Sequence, residues 1–290
     1  MLTRRSFLAT VGALAAVAAC RKSGPALQGG ATTAAAARRR WDRIGIQLYS
    51  VRQAMQRDMP GTLARLAEIG YREVEFAGYF GRTPAQVRQI LDQNRLAAPS
   101  THVGYDVVRA NWDRTADEAA TIGHQFITVP WLPDNVRRSA ETWRAVAAEF
   151  NRIGERARGR GLRFAYHNHD FEFVRVDGVL PFDLLIAETD PALVSFEMDV
   201  YWTVKAGGDP MEYFRTHPSR FSMLHIKDSA GPPAHAQVDV GAGTINFGSI
   251  LRLDAEQQKS VKHAFVEHDS PPDPMAFAKK SFDYLNALEY

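Results

Sequence analysis

A single cysteine, Cys20, serves all 290 residues. One thiol rules out an intramolecular disulfide and any zinc site built on cysteines. The fold must therefore be held by its packed core. Charge of one sign is also lacking: 35 Lys and Arg face 33 Asp and Glu, a formal net charge of +2. Proteins that grip nucleic acid through its phosphates need a basic excess, so this balance argues against that class. No Gly-x-Gly-x-x-Gly follows a candidate strand, which removes support for a dinucleotide-binding open sheet. The body carries no arginine cluster and no phosphate-cradling glycine loop, so a non-phosphorylated substrate is expected.

What is present begins with a leader. Arg4 and Arg5 precede an apolar stretch over residues 7–19, shorter than the roughly 20 residues that span a membrane. A basic start followed by a short apolar run is the pattern of a secretory signal. Arg4-Arg5-Ser6-Phe7-Leu8 resembles a twin-arginine export signal, and Val17-Ala18-Ala19-Cys20 resembles a lipoprotein cleavage box. The expectation is a signal peptide over 1–20, a lipid anchor at Cys20 as the only membrane contact, and a final location in the periplasm or on the outer side of a membrane. Residues 21–42 are rich in Gly, Ala, Ser and Thr, and read as a flexible linker.

Residues 43–290 have the length of one α/β barrel. Short apolar runs alternate there with amphipathic stretches. The strand candidates are IGIQLY (44–49), EVEFA (73–77), APSTHV (98–103), FITVP (126–130), RFAYHN (163–168), VSFEMD (194–199), SMLHIK (222–227) and HAFVEH (263–268). Helices are predicted over 59–69, 83–93, 111–122, 139–160 and 275–288, with shorter ones starting near Pro181, Asp209 and Asn246. Gly70 and Gly161 stand where helix C-caps would fall. Eight such units predict an α/β fold, a single (β/α)8 TIM barrel, with an open doubly wound sheet as the competitor. The glycine-rich GAGTINFG (241–248) reads as a barrel loop that closes over a site.

Active sites of such barrels lie at the C-terminal strand ends. The polar residues there are Gln47 and Tyr49, Glu73 and Glu75, His102, His167 and His169, Asp199, His225 with Lys227 and Asp228, and Glu267-His268-Asp269. Strands five to eight each end an apolar run in His, Asp or Glu. Burying carboxylates without compensation is costly. A divalent cation bound by carboxylates and imidazoles resolves that cost. The predicted metal ligands are His167, Asp199, His225 and Glu267. Mixed nitrogen and oxygen donors fit Mn, Co, Fe or Zn better than Ca.

YHNHDFEF (166–173), MDVYWTVKAGGDP (198–210), LHIKD (224–228), VDVGAGTINF (238–247) and FVEHD (265–269) give residues 44–290 a specific resemblance. They resemble the sugar phosphate isomerase/epimerase group of the xylose isomerase-like TIM barrels. The resemblance implies a divalent metal on strands five to eight and carries over to Asp199, His225 and Glu267. Many relatives place a Glu on strand five, where this chain has His167, with His169 as the alternative two residues on. Relatives also commonly carry an acid where Ala242 and Asn246 stand. The group is often oligomeric, which implies a homo-oligomer.

The chemistry the resemblance implies is proton abstraction next to a carbonyl, giving an enediolate, on a small-molecule carbohydrate. Glu267 is the candidate base, with His167 or His169 as the opposing acid or base. Glu75, His102, Lys227, Trp202 and Glu172 are candidate substrate-binding residues, Glu172 reaching in from its loop. Trp131 offers a second flat face to a sugar ring. A rim ion pair of Lys227 with Asp228 is the alternative for that lysine. An isomerase or epimerase is the first expectation, and a keto-sugar lyase or dehydratase the second. A non-catalytic exported sugar-binding lipoprotein would use the same pocket but needs no metal.

Overall fold

In the computed structural model, residues 39–258 and 260–290 are described. The leader, the Cys20 anchor and the first part of the linker lie outside the described residues. Eight parallel strands close into one barrel: β1 (Ile44–Gln47), β2 (Glu73–Phe76), β3 (Ala97–His102), β4 (Phe126–Val129), β5 (Arg163–His167), β6 (Val194–Asp199), β7 (Phe221–Ile226) and β8 (His263–Val266). Each strand pairs with its sequence neighbours, and β1 closes on β8 with Ile44 opposite Ala264. The open-sheet competitor is excluded by that closure.

The main helices are α1 (Met59–Ile69), α2 (Pro84–Asn94), α3 (Trp112–Ile122), α4 (Ala140–Gly159), α5 (Pro181–Glu188), α6 (Pro210–Thr216), α7 (Phe247–Leu253) and α8 (Pro274–Ala287). Their starts have visible causes. Thr83 and Ser139 close capping boxes, satisfying backbone N–H groups that the first turn leaves free. Proline stands in the first turn of α1, α2, α5, α6 and α8, where its missing N–H costs nothing. Gly70 ends α1 at φ 129°, a conformation that side chains resist.

The strand period of two sorts the core into two compartments. Ile127 and Val129, Phe164 and Tyr166, Phe196 and Met198, Leu224 and Ile226, and Ala264 and Val266 pack outward in the main core, against the helices. The alternate set, Phe126, Ala165, Met223 and Phe265, forms a separate small cluster inside the barrel. Gly45 makes room for it, because a Cβ there would lie 2.5 Å from the Phe265 ring. Above that apolar plug the same inward register continues as His167, Glu197, Asp199 and His225. Below it, Glu73 Oε2 accepts from His263 Nδ1–H at 2.7 Å. Glu73 therefore belongs to the N-terminal end of the barrel and not to the rim where the sequence placed it, since it begins β2.

Candidate metal centre at the barrel mouth

The register of the strands builds this site. Asp199 stands opposite His225 across the β6–β7 ladder, and His167 opposite Glu197 across β5–β6. Residues two apart on one strand share a face, so Glu197 and Asp199 both point into the barrel. His167, Asp199, His225 and Glu267 each offer a ligand atom, all within 4.8 Å of one another. All four are buried. Asp199 also caps the helical turn that follows it, accepting the Trp202 N–H on Oδ1 at 2.9 Å. That leaves Oδ2 buried and without a hydrogen bond, with Lys227 Nζ 3.1 Å away.

Glu197 is the member that the sequence reading missed. It is fully buried, and its Oε2 lies 2.7 Å from His102 Nε2, 3.2 Å from His167 Nδ1 and 3.1 Å from His225 Nε2. The available signal was the alternation in VSFEMD, where stepping back two residues from Asp199 reaches it. Glu75 completes this layer. Its Oε2 lies 2.7 Å from His225 Nε2 and accepts from Gln47 Nε2 at 2.7 Å.

Electrostatics follow from burial. Burial opposes ionisation of Glu197, but His225, His102 and His167 around it hold its pKa well below the usual range. Burial and the neighbouring Glu197 raise Glu75. Burial opposes the charge on His102, yet Glu75 and Glu197 prevail and raise its pKa. Burial pushes Asp199 up to about 6, against the pull of Lys227. Glu267 is held well below its usual value despite burial, by Lys227 and His225. Burial lowers His169 to about 4, so its ring is neutral at ordinary pH.

Four buried carboxylates (Glu75, Glu197, Asp199, Glu267) thus converge on one lysine and three imidazoles. A divalent ion fits this set on two grounds. The donors are of the mixed nitrogen and oxygen kind. Asp199 Oδ2 is also buried without a hydrogen-bond partner, a costly state that a cation held there relieves.

A cavity of about 600 Å³ opens onto the centre. Its walls include His102, His167, His169, Lys227, Glu267 and Asp269, with Tyr49 and Trp131 among the rest. The substrate candidates divide accordingly. His102 and Lys227 line the cavity, whereas Glu75, Trp202 and Glu172 are not among its lining residues. Glu75 lies in the layer below. Trp202 packs against His169, ring centroids 5.2 Å apart, with Lys227 Nζ over its face. Glu172 turns away from the cavity: it accepts the Tyr166 hydroxyl and the His169 N–H, which fixes the loop carrying that histidine. Burial raises Glu172 to about 8.

Lys227 binds Glu267 Oε2 at 2.7 Å and Asp269 Oδ1 at 2.9 Å. The alternative partner, Asp228, points elsewhere and accepts the backbone N–H groups of Gly241, Gly243 and Ile245. This corrects the reading of the glycine-rich loop. It is gathered around Asp228, contributes nothing to the cavity lining, and requires glycine at 243, where a Cβ would meet Asp228 at 2.3 Å. Asn246 caps α7 by accepting the Ser249 N–H at 3.0 Å.

A closed eight-stranded parallel barrel with a histidine and carboxylate cluster at the ends of strands five to eight defines an α/β barrel with a candidate metal centre at its mouth. Residues 63–286 match the model of the xylose isomerase-like TIM barrel family, and the chain belongs to that family. It is 26% identical over 262 residues to an inosose dehydratase of Clostridium botulinum, covering 77% of this chain and 87% of that one. With an inosose dehydratase of Lacticaseibacillus casei it shares 25% identity over 179 residues, spanning 59% of that protein's length. Among solved structures, a sugar phosphate isomerase/epimerase of Parabacteroides distasonis superposes with a TM-score of 0.76 at 29% identity, covering 86% of this chain and 99% of that one. The fold is also that of the IOLI protein, solved with a zinc atom, at a TM-score of 0.67 and 12% identity, over 84% of this chain and 98% of that one.

Proposed function

We propose that this chain is a divalent-metal-dependent lyase that removes a proton next to the carbonyl of a non-phosphorylated keto-sugar or keto-glycoside and expels the group on the neighbouring carbon. The observation that carries this is an asymmetry of the cavity walls. The two carboxylates that reach the cavity, Glu267 and Asp269, both follow β8, whereas the other ionisable groups facing it are His102, His167, His169 and Lys227. Passing a proton between the two faces of a substrate carbon by paired carboxylates would need an acid on the opposite wall. Elimination needs only one group that takes a proton and gives it back.

His169 suits that role. Its ring lines the cavity, and its Nδ1 is buried without a hydrogen-bond partner among the described residues. Its main chain is held by Glu172 at 2.9 Å. In the proposed step the neutral imidazole accepts the proton from the carbon beside the carbonyl. The electron pair left there forms the enediolate, then expels the oxygen on the adjacent carbon. The imidazolium returns its proton to that oxygen, so water or an alcohol leaves and the enzyme is restored. A divalent ion held by His167, Asp199, His225 and Glu267 would supply Lewis acidity toward the carbonyl oxygen. Lys227, paired with Asp199, Glu267 and Asp269, holds those carboxylates at the cavity wall.

The cavity supports a substrate larger than one sugar ring. Its volume of about 600 Å³ falls in the range that takes drug-sized ligands. Tyr49 and Trp131, 42% and 44% exposed, stand at its wall, and Arg52 and Arg137 each lie over one of these rings. Such rings offer apolar faces for a second sugar or an aglycone. Among the described residues no arginine lines the cavity, and Lys227 is already committed to three carboxylates, which supports an unphosphorylated substrate. The leader around Arg4, Arg5 and Cys20 supports a place of action outside the cytoplasm, on a lipid anchor.

Isomerisation or epimerisation is the second reading. The 29% identical Parabacteroides distasonis structure, named for that activity, favours it. The test is to purify the protein, measure its bound metals, and incubate it with free ketoses, keto-inositols and 3-keto-glycosides. Loss of the leaving group with a new double bond supports the lyase. Epimers or aldose–ketose exchange without elimination would replace it with the second reading. Tight sugar binding without metal or turnover would instead favour a binding protein.

A further inference from the structure

Two ligand-rich groups overlap at the barrel mouth. His167, Asp199, His225 and Glu267 form the upper one; His102, His167, Glu197 and His225 form the lower. They share two imidazoles and so compete for the same rings. Each shared ring has one nitrogen on either side. His167 turns Nε2 toward Asp199 Oδ2 at 3.8 Å and Nδ1 toward Glu197 Oε2 at 3.2 Å. His225 turns Nδ1 toward Glu267 Oε2 at 2.8 Å and Nε2 toward Glu197 Oε2 at 3.1 Å and Glu75 Oε2 at 2.7 Å.

A neutral imidazole has one nitrogen with a free lone pair and one N–H. Cations in both groups at once would need both nitrogens of both rings stripped of protons. One cation needs only one nitrogen from each. With the ion in the upper group, Glu197 lies behind both rings to receive their N–H groups; with the ion in the lower group, His225 Nδ1–H would still reach Glu267 at 2.8 Å, but His167 Nε2–H would face Asp199 Oδ2 at 3.8 Å, beyond hydrogen-bond reach.

We infer that Glu197 is a positioning residue and not a ligand. Through one oxygen, Oε2, it accepts the Nδ1–H of His167 and shares the Nε2–H of His225 with Glu75 Oε2, and so presents His167 Nε2 and His225 Nδ1 to the ion. This rests on the metal reading above. A carboxylate behind a ligand histidine fixes its tautomer and ring orientation, and losing it typically weakens metal binding roughly 10–100-fold. Here one carboxylate serves two ligands from different strands. It also touches His102 Nε2 at 2.7 Å, a ring that lines the cavity, so the same group ties the substrate wall to the metal. Glu75 backs His225 on the same nitrogen and is itself held by Gln47.

The test uses the full chain, with zinc as the probe. Zinc stoichiometry and affinity are measured by chelator competition for wild type, Glu197→Gln, Glu197→Asp and Asp199→Asn, and the histidine ring nitrogens are followed by ¹⁵N NMR before and after zinc. The expected result is one zinc in wild type, with His167 as the Nδ1–H and His225 as the Nε2–H tautomer. Glu197→Gln should keep one zinc, bind it roughly 10–100-fold more weakly, and show mixed tautomers on those two rings. Glu197→Asp, read in place of Glu197→Gln if the latter does not fold, should recover part of the affinity or show the same loss. Unchanged affinity and tautomers in Glu197→Gln would overturn the inference while leaving the metal reading intact. So would two zinc ions in wild type, or zinc lost from Glu197→Gln and kept by Asp199→Asn. Wild type that takes no zinc would overturn the metal reading itself, and this inference with it.

Discussion

Asp199 stands directly across the β6–β7 ladder from His225, so two candidate metal ligands of different strands leave the sheet at one level and on one face. The ladder fixes this pairing before any ion arrives. The site is therefore preorganised, and removing one member should not collapse the barrel.

Asp199→Asn should lose metal and activity together while the protein still folds. The amide keeps the cap on Trp202 N but removes the charge that faces Lys227 and the ion. Elemental analysis should fall from near one equivalent to a small fraction. Chelator treatment of wild type should lower its melting temperature, because a ligand at a hundred times its Kd stabilises the native state by about 2.7 kcal/mol. A melting curve of Asp199→Asn that chelator does not move would agree. An unchanged metal content would refute the ligand assignment.

His169→Gln should lower kcat roughly 10²–10⁴-fold, the span expected for losing an acid–base group, with metal content unchanged. The backbone bond from His169 N to Glu172 does not depend on the side chain, so the loop should keep its place. Full activity in this variant would move the base to Glu267 or His167.

Trp131→Ala should discriminate between substrates. An exposed ring at the cavity wall contributes stacking of about 0.5–1.5 kcal/mol. KM for a keto-glycoside with an aromatic aglycone should rise up to about tenfold, and KM for the matching monosaccharide should not move. Equal effects on both would place Trp131 against the reacting ring itself.

His124 should make the fold acid-sensitive, independently of catalysis. Its ring is buried between Ala98 O, at 2.6 Å from Nδ1, and the Tyr79 hydroxyl, at 3.2 Å from Nε2. Burial lowers its pKa to about 4. Between the usual 6.5 and about 4 the unfolded chain binds the proton more readily than the fold does. This contribution to stability is thus complete above pH 6.5 and is lost as pH falls toward 4. The gap corresponds to about 3 kcal/mol. His124→Asn, which keeps a donor near Ala98 O, should flatten that part of the pH dependence of the urea midpoint relative to wild type. Parallel curves for the two proteins would show that other groups set it.

The sequence by itself determined the units of this barrel and which strand ends carry its polar groups. Helix α1 runs from Met59 to Ile69 as its apolar spacing requires, and β6 from Val194 to Asp199. Both rest on local periodicity, which a chain carries in its own order. The polar strand ends, His167, Asp199, His225 and Glu267, were legible for the same reason: each interrupts an apolar run where a barrel strand must stop.

Tertiary structure alone decided which groups face one another. Glu75 and His225 meet across 150 residues. Their contact exists because β1 closes onto β8 with β2 beside it, and no local pattern encodes closure. The same holds for direction. Glu172 has the composition of a substrate ligand, but the loop after β5 turns its carboxylate onto Tyr166. Asp228 follows Lys227 in sequence and yet serves the backbone of a loop more than ten residues on, while Lys227 faces the centre. Adjacent residues leaving a strand point to opposite sides, and the neighbours they meet there belong to other strands. Glu197 is the intermediate case: alternation in its own strand puts it on the inner face, but only the barrel brings three histidines onto its one oxygen.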